Sequence, residues 1–120
     1  MTKAVSLVEV EPFTRQVSSF LSEAEQEELK WYLANNPTDG VLIQGTGGVR
    51  KLRWAAKGRG KSGGSRIIYF FHSDASPIWL LAAYSKNAKV DLTQKEKAAI
   101  RKLVSVLVAQ YQPGDRNDHR

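Results

Sequence analysis

Seven consecutive apolar residues, Ile78-Trp79-Leu80-Leu81-Ala82-Ala83-Tyr84, constrain this chain more than any other feature. The run is far shorter than the roughly 20 residues of a membrane-spanning helix. A strand apolar on both faces belongs in the interior of a sheet. Its neighbours in sequence supply partners. Arg66 to Phe71 is a strand with an apolar body, and Ser73 to Pro77 turns the chain from it into Ile78. Val41 to Arg53 reads as strand around Gly45-Thr46-Gly47-Gly48, a bend or bulge. At its end Lys51 and Arg53 point one way, Leu52 and Trp54 the other. The β-branched opening Val5 to Val10 reads as one more strand.

Helices flank these strands. Phe13 to Phe20 fits a short one. Ser22 and Glu25 form a capping box, each side chain satisfying an unpaired N–H of the first turn, and Leu29, Tyr32 and Leu33 follow on one face until Asn35-Asn36-Pro37 stops the helix. Thr93 and Glu96 repeat the box. Ile100, Leu103, Val104, Leu107, Val108 and Tyr111 then make a continuous stripe, ended by Pro113-Gly114. No internal repeat is present. The pattern predicts one α+β domain over residues 1–120, with a flexible tail from 113. In it an antiparallel meander over residues 41–85 is covered on one face by two N-terminal helices and a C-terminal helix.

The chain carries a net charge of +6, with a pI near 9.7, but the distribution says more than the total. Between Asp39 and Asp74 there is no acidic residue, while Arg50, Lys51, Arg53, Lys57, Arg59, Lys61 and Arg66 fall there. A solvated lysine-rich face is usually diluted with glutamate; this stretch points to phosphate. The absence of cysteine excludes disulfides, a thiol nucleophile and thiolate-bound zinc. The apolar stretch of Met1-Thr2-Lys3-Ala4-Val5 is too short for a signal peptide, so a cytoplasmic protein is expected.

Ala55 to Ser62 matches a relaxed phosphate-binding P-loop, but that loop works by leading into a helix whose N–H groups face the phosphates. Here Gly63-Gly64-Ser65 leads into a strand, so the P-loop reading fails. Two-metal phosphoryl chemistry needs clustered carboxylates, which the basic segment lacks. No metal and no small-molecule cofactor are expected. His72 reads as a strand-end residue, and His119, in the tail, has no assigned role.

A metal-free cationic site remains. RNA is cleaved when its own 2′-hydroxyl attacks the adjacent phosphate, and guanidinium and ammonium groups stabilise the dianionic phosphorane. A lysine crowded by cations has a lowered pKa and suits a general base. Lys57, Arg59, Lys61 and Arg66 are candidates for binding and catalysis. From these residues alone the reading is nucleic-acid binding, with cleavage left open.

The stretches Gln44 to Ala55, Gly58 to Ser62 and Gly63 to Tyr69 resemble the HigB branch of RelE-type toxins, within the RelE/ParE superfamily. Tyr84-Ser85-Lys86-Asn87-Ala88-Lys89-Val90-Asp91-Leu92 resembles that branch's strand-end motif, and the likeness runs from about residue 40 to 108. It implies a bacterial type II toxin, an mRNA interferase that enters the 30S A site and cuts messenger RNA there. It implies as partners the ribosome with its rRNA, the message, and a cognate antitoxin, expected to be a DNA-binding HigA-like chain. It implies Arg66 as the phosphate clamp, Lys57 as general base or charge stabiliser, and Arg59 and Lys61 beside them. Lys86 and Asn87 fall where the family places strand-end site residues; Asn87 stands where RelE itself tends to have arginine, and Ser85 where glycine is usual. Arg50, Lys51, Arg53 and Lys89 would bind RNA or the ribosome. Two alternatives stand beside this reading: a ParE-like toxin that poisons gyrase, and a non-catalytic RNA- or ribosome-binding module.

Overall fold

Trp79 and Leu80, adjacent in sequence, face opposite sides of the strand they share, and each is buried. In the computed structural model, which describes residues 6–55, 64–85 and 91–110, the apolar run forms β5 (Ile78–Ser85). The other strands are β1 (Leu7–Glu9), β2 (Val41–Leu42), β3 (Val49–Trp54) and β4 (Ser65–Phe71), in the order β1-β5-β4-β3-β2. β2 through β5 pair antiparallel in sequence order, as the meander predicts. The stretch read as one strand with a bend or bulge is instead a hairpin, because Gly45, Gly47 and Gly48 at positive φ reverse the chain between β2 and β3. β1 adds a parallel edge strand, with Leu7, Val8 and Glu9 opposite Ile78, Trp79 and Leu80.

α1 (Glu11–Val17) and α2 (Glu23–Asn35) follow β1. The predicted box caps α2: the Glu25 N–H donates to Ser22 Oγ (3.2 Å) and the Ser22 N–H to Glu25 Oε1 (2.8 Å). The same reciprocal bonds join Thr93 and Glu96 ahead of α3 (Gln94–Gln110).

One expectation is corrected. The helices from the two ends of the chain do not share a face. α1 and α2 place Phe13, Val17, Leu29 and Leu33 on one side of the sheet, against Leu52, Ile67, Tyr69, Ile78 and Leu80. α3 lies on the other side, where Val104 and Leu107 meet Val49, Ile68, Phe70, Trp79 and Leu81. The cause lies in the central strands. β4 and β5 bury side chains on both faces, and each large side chain left in water would forfeit about 1.5–3 kcal/mol. Of the predicted C-terminal stripe, Leu107 is buried and Ile100 and Leu103 are partly buried; Tyr111 and the tail lie outside the described residues.

Candidate nucleic-acid interface

Alternation along β3 divides its cations between the two faces of the sheet. Arg50 shares the α1/α2 side with Leu52, whereas Lys51 and Arg53 share the α3 side with Val49. Arg53 stands directly opposite Arg66 of β4, and Arg66 directly opposite Tyr84 of β5. Three polar side chains thus lie abreast on neighbouring strands, with Cβ atoms about 4.5–5.5 Å apart across each pair.

Tyr84 reaches this position through a bulge. Strict alternation from Ile78 would put it beside Leu80 on the α1/α2 side. Instead Tyr69 pairs with Leu80 and Ile68 with Ala82, so Leu81 is an extra residue. The bulge resets the phase, and Tyr84 joins the α3-side cluster.

The hairpin is closed beneath these residues. Trp54 pairs with Ser65, and Ser65 Oγ donates to the Trp54 carbonyl at 2.9 Å. Arg66, half-buried, makes one long hydrogen bond among the described residues, from Nη1 to the Ser65 carbonyl at 3.3 Å. Among the described residues neither Arg53 nor Arg66 forms an ion pair. Like charges directly opposite on a sheet repel. Two guanidiniums in register, with no carboxylate partner among the described residues, can accept an anion, and Arg is the side chain best matched to phosphate.

Lys51 carries the row further, with Nζ 3.4 Å from Asp91 Oδ1. Asp91 accepts the Leu92 N–H at 2.8 Å. That bond, aided by Lys51 and Lys97, holds its carboxyl below the usual carboxylate range. Burial pushes the Tyr84 hydroxyl above its ordinary value, with Asp91 and Glu96 acting in the same sense and Arg66 opposing. At neutral pH Tyr84 is a neutral hydroxyl, suited to donate a hydrogen bond rather than take a proton.

Residues 33–113 match the family described as the RelE toxin of the RelE / RelB toxin-antitoxin system. The match spans more than half of the chain and includes the whole cationic edge. The chain belongs to the RelE toxin family. It is the toxin of a toxin–antitoxin system, and membership implies a cognate antitoxin as partner. Among the described residues no helix is long and apolar enough to cross a membrane.

In this RelE-family chain the structure brings together three of the predicted residues, Lys51, Arg53 and Arg66. Arg50 is set apart on the opposite face. Its Nη1 donates to the carbonyls of Thr38 (3.1 Å) and Gly40 (2.8 Å), which ties the α2–β2 connection to the sheet. Lys57, Arg59, Lys61, Lys86, Asn87 and Lys89 lie outside the described residues, as does most of the P-loop-like stretch. His72 follows β4, exposed, its ring 6.0 Å from that of Phe70. Tyr84 and Asp91 were not singled out as site residues from the sequence. Tyr84 is hidden by the bulge, which no local residue type announces. Asp91 carried a signal, as the carboxylate within the strand-end motif.

Proposed function

We propose that this toxin is a metal-free endoribonuclease of the HigB-like branch that cleaves messenger RNA in the ribosomal A site. The observation that supports it most is the Arg53–Arg66 register on the α3 side of the sheet, without an ion-pair partner among the described residues. Arg66 is the clamp. Fixed on β4 and flanked by Tyr84, its guanidinium meets the charge that develops on the phosphorane oxygens. Arg53 adds a second fork, and Lys51 holds the neighbouring phosphate. The 2′-oxygen bonds to phosphorus as the bond to the 5′-oxygen breaks, which leaves a 2′,3′-cyclic phosphate and a 5′-hydroxyl. A base takes the 2′-hydroxyl proton and an acid returns one to the 5′-oxygen.

Lys57 is our candidate for the base. It lies three residues along the chain from Trp54, the last residue of β3. Arg59 and Lys61 join it as cations of the β3–β4 connection, and Lys86 and Asn87 follow directly on β5. Lys89 is assigned to ribosome binding. The partner antitoxin is read as HigA-like and the setting as the bacterial cytoplasm.

The test is to add the purified chain to ribosomes carrying a defined message and map breaks by primer extension. Cuts in the A-site codon, absent when ribosomes are omitted, are the expected result. Intact message together with trapped gyrase–DNA complexes would mean a ParE-like toxin. Ribosome binding with neither outcome would mean a non-catalytic module.

A further inference from the structure

The cationic face does not stop at Lys51. At the far end of β3 the β2–β3 loop folds back onto α3, and its shape is held from within. Thr46, fully buried, donates its hydroxyl to the Ile43 carbonyl (2.7 Å) and accepts the Val49 N–H (3.1 Å). Gly47, at φ 84, seats the loop against the helix: a Cβ there would lie 3.4 Å from Val104 Cγ1 and 4.0 Å from Arg101 Cγ. Between loop and helix is a cavity of about 380 Å³ lined by Gln44, Gly45, Gln94, Lys97, Ala98 and Arg101.

The helical contributors fall at i, i+3, i+4 and i+7, one face of α3. Lys97 and Arg101 are therefore like charges one turn apart, a mildly destabilising arrangement in an isolated helix. Among the described residues neither forms an ion pair, and no carboxylate lines the cavity. Gly45, at φ 82, has open space where a side chain would stand, so its peptide can be approached closely.

We propose that this pocket between the β2–β3 loop and α3 binds the phosphodiester backbone of RNA, as a subsite separate from the Arg53–Arg66 pair. Two cations, two amides and an uncovered peptide are what a phosphate oxygen needs, and none of them reads a base. Val49, at the pocket end, and Arg53 are four residues apart on β3, about 13 Å. Lys51 lies between them on the same face, so a strand of RNA crossing the sheet would meet cations at both ends and in the middle. An acidic protein is the poorer fit, because interface cores are built on aromatic and apolar anchors and this lining has none. The inference rests on the toxin acting on RNA but not on its cutting it.

The test uses the full chain and a labelled RNA whose 2′-hydroxyls are methylated, so that it cannot be cleaved. Anisotropy titrations across a salt series compare the parent, Lys97→Ala/Arg101→Ala, and the charge-matched control Lys95→Ala/Lys102→Ala; thermal melts establish that each is folded. Loss of two single-strand phosphate contacts should flatten the log–log salt slope by about 1.4, roughly 25-fold in affinity at about 0.1 M salt. The control should stay near the parent. A Lys97/Arg101 variant that matches the parent or the control overturns the proposal. So does competition by inorganic phosphate at a site where RNA binding is unaffected by the variant, which would mark a free-anion site. Weakened antitoxin binding with an unchanged RNA slope overturns it too. Because the probe cannot react, failure of cleavage on the ribosome would leave this result standing.

Discussion

Arg50 and Arg66 lie on adjacent strands of one sheet, on opposite faces, and their surroundings differ throughout. On the α1/α2 side Arg50 and Tyr69 are tied to the backbone of the α2–β2 connection, although the Arg50 Nε is buried without a hydrogen-bond partner. The Arg50 guanidinium bonds two carbonyls, while the Tyr69 hydroxyl donates to the Pro37 carbonyl (2.8 Å) and accepts the Gly40 N–H (2.9 Å). On the α3 side Arg66 has, among the described residues, one long bond, to its neighbour's carbonyl, and faces Arg53. The same residue type is a fastener on one face and a ligand-ready group on the other. Charge counted along the sequence does not make that distinction; the period of two along β3 and β4 does.

Phe13, fully buried on the α1/α2 side, should lose about 3–5 kcal/mol of stability as Phe13→Ala. Denaturant melts measure this, and cleavage per folded molecule should be unchanged. A stability loss below about 1 kcal/mol would mean that this face is not the main support of the sheet.

Arg50→Ala should cost about 2 kcal/mol, because the carbonyls of Thr38 and Gly40 lose a charged donor. The effect belongs in the melting curve. A weakened RNA salt slope with unchanged stability would put Arg50 back among the binding residues.

Tyr84→Phe is the next test, and its effect belongs in the pH dependence of stability. The hydroxyls of Tyr84 and Tyr69 are both raised by burial. A raised pKa means that the folded state favours the protonated form. Their contribution is complete below the ordinary tyrosine value and is lost as pH rises through the folded values. Parent stability should fall on the alkaline side, and Tyr84→Phe should make that fall shallower. An identical alkaline limb would contradict the burial of Tyr84.

Asp91→Asn should have the smallest effect. The lowered carboxyl contributes stability above its ordinary range, lost as pH falls through the depressed value. Asp91 is half exposed, so the contribution is at most about 0.5 kcal/mol. Releasing Lys51 from it should slightly tighten RNA binding, which a salt titration reads directly.

Much of the fold was legible in the sequence. Both capping boxes, the meander over residues 41–85 and the interior position of the Ile78 run are present, because capping and hydrophobic periodicity are local signals. The placement of α3 was not read correctly, although the double-sided burial of β4 and β5 was already written in Ile67-Ile68-Tyr69-Phe70 and in the apolar run itself. Of the candidate site, Lys51, Arg53 and Arg66 could be collected by alternation and charge. Arg50 could not be separated from them by charge, since its partners Thr38 and Gly40 lie 12 and 10 positions upstream. The Leu81 bulge that delivers Tyr84 to Arg66 depends on how two strands pair, which neither strand encodes alone.

On the proposed reading the α3 side, through Arg66, carries the chemistry. This is tested most directly by measuring cleavage of ribosome-bound message by Arg66→Ala beside its melting temperature. The expected result is a loss on the order of 100–1000-fold in cleavage rate, the scale of removing an oxyanion donor, with melting within a degree or two of the parent. Cleavage near the parent rate, or a loss matched by unfolding, would contradict that reading.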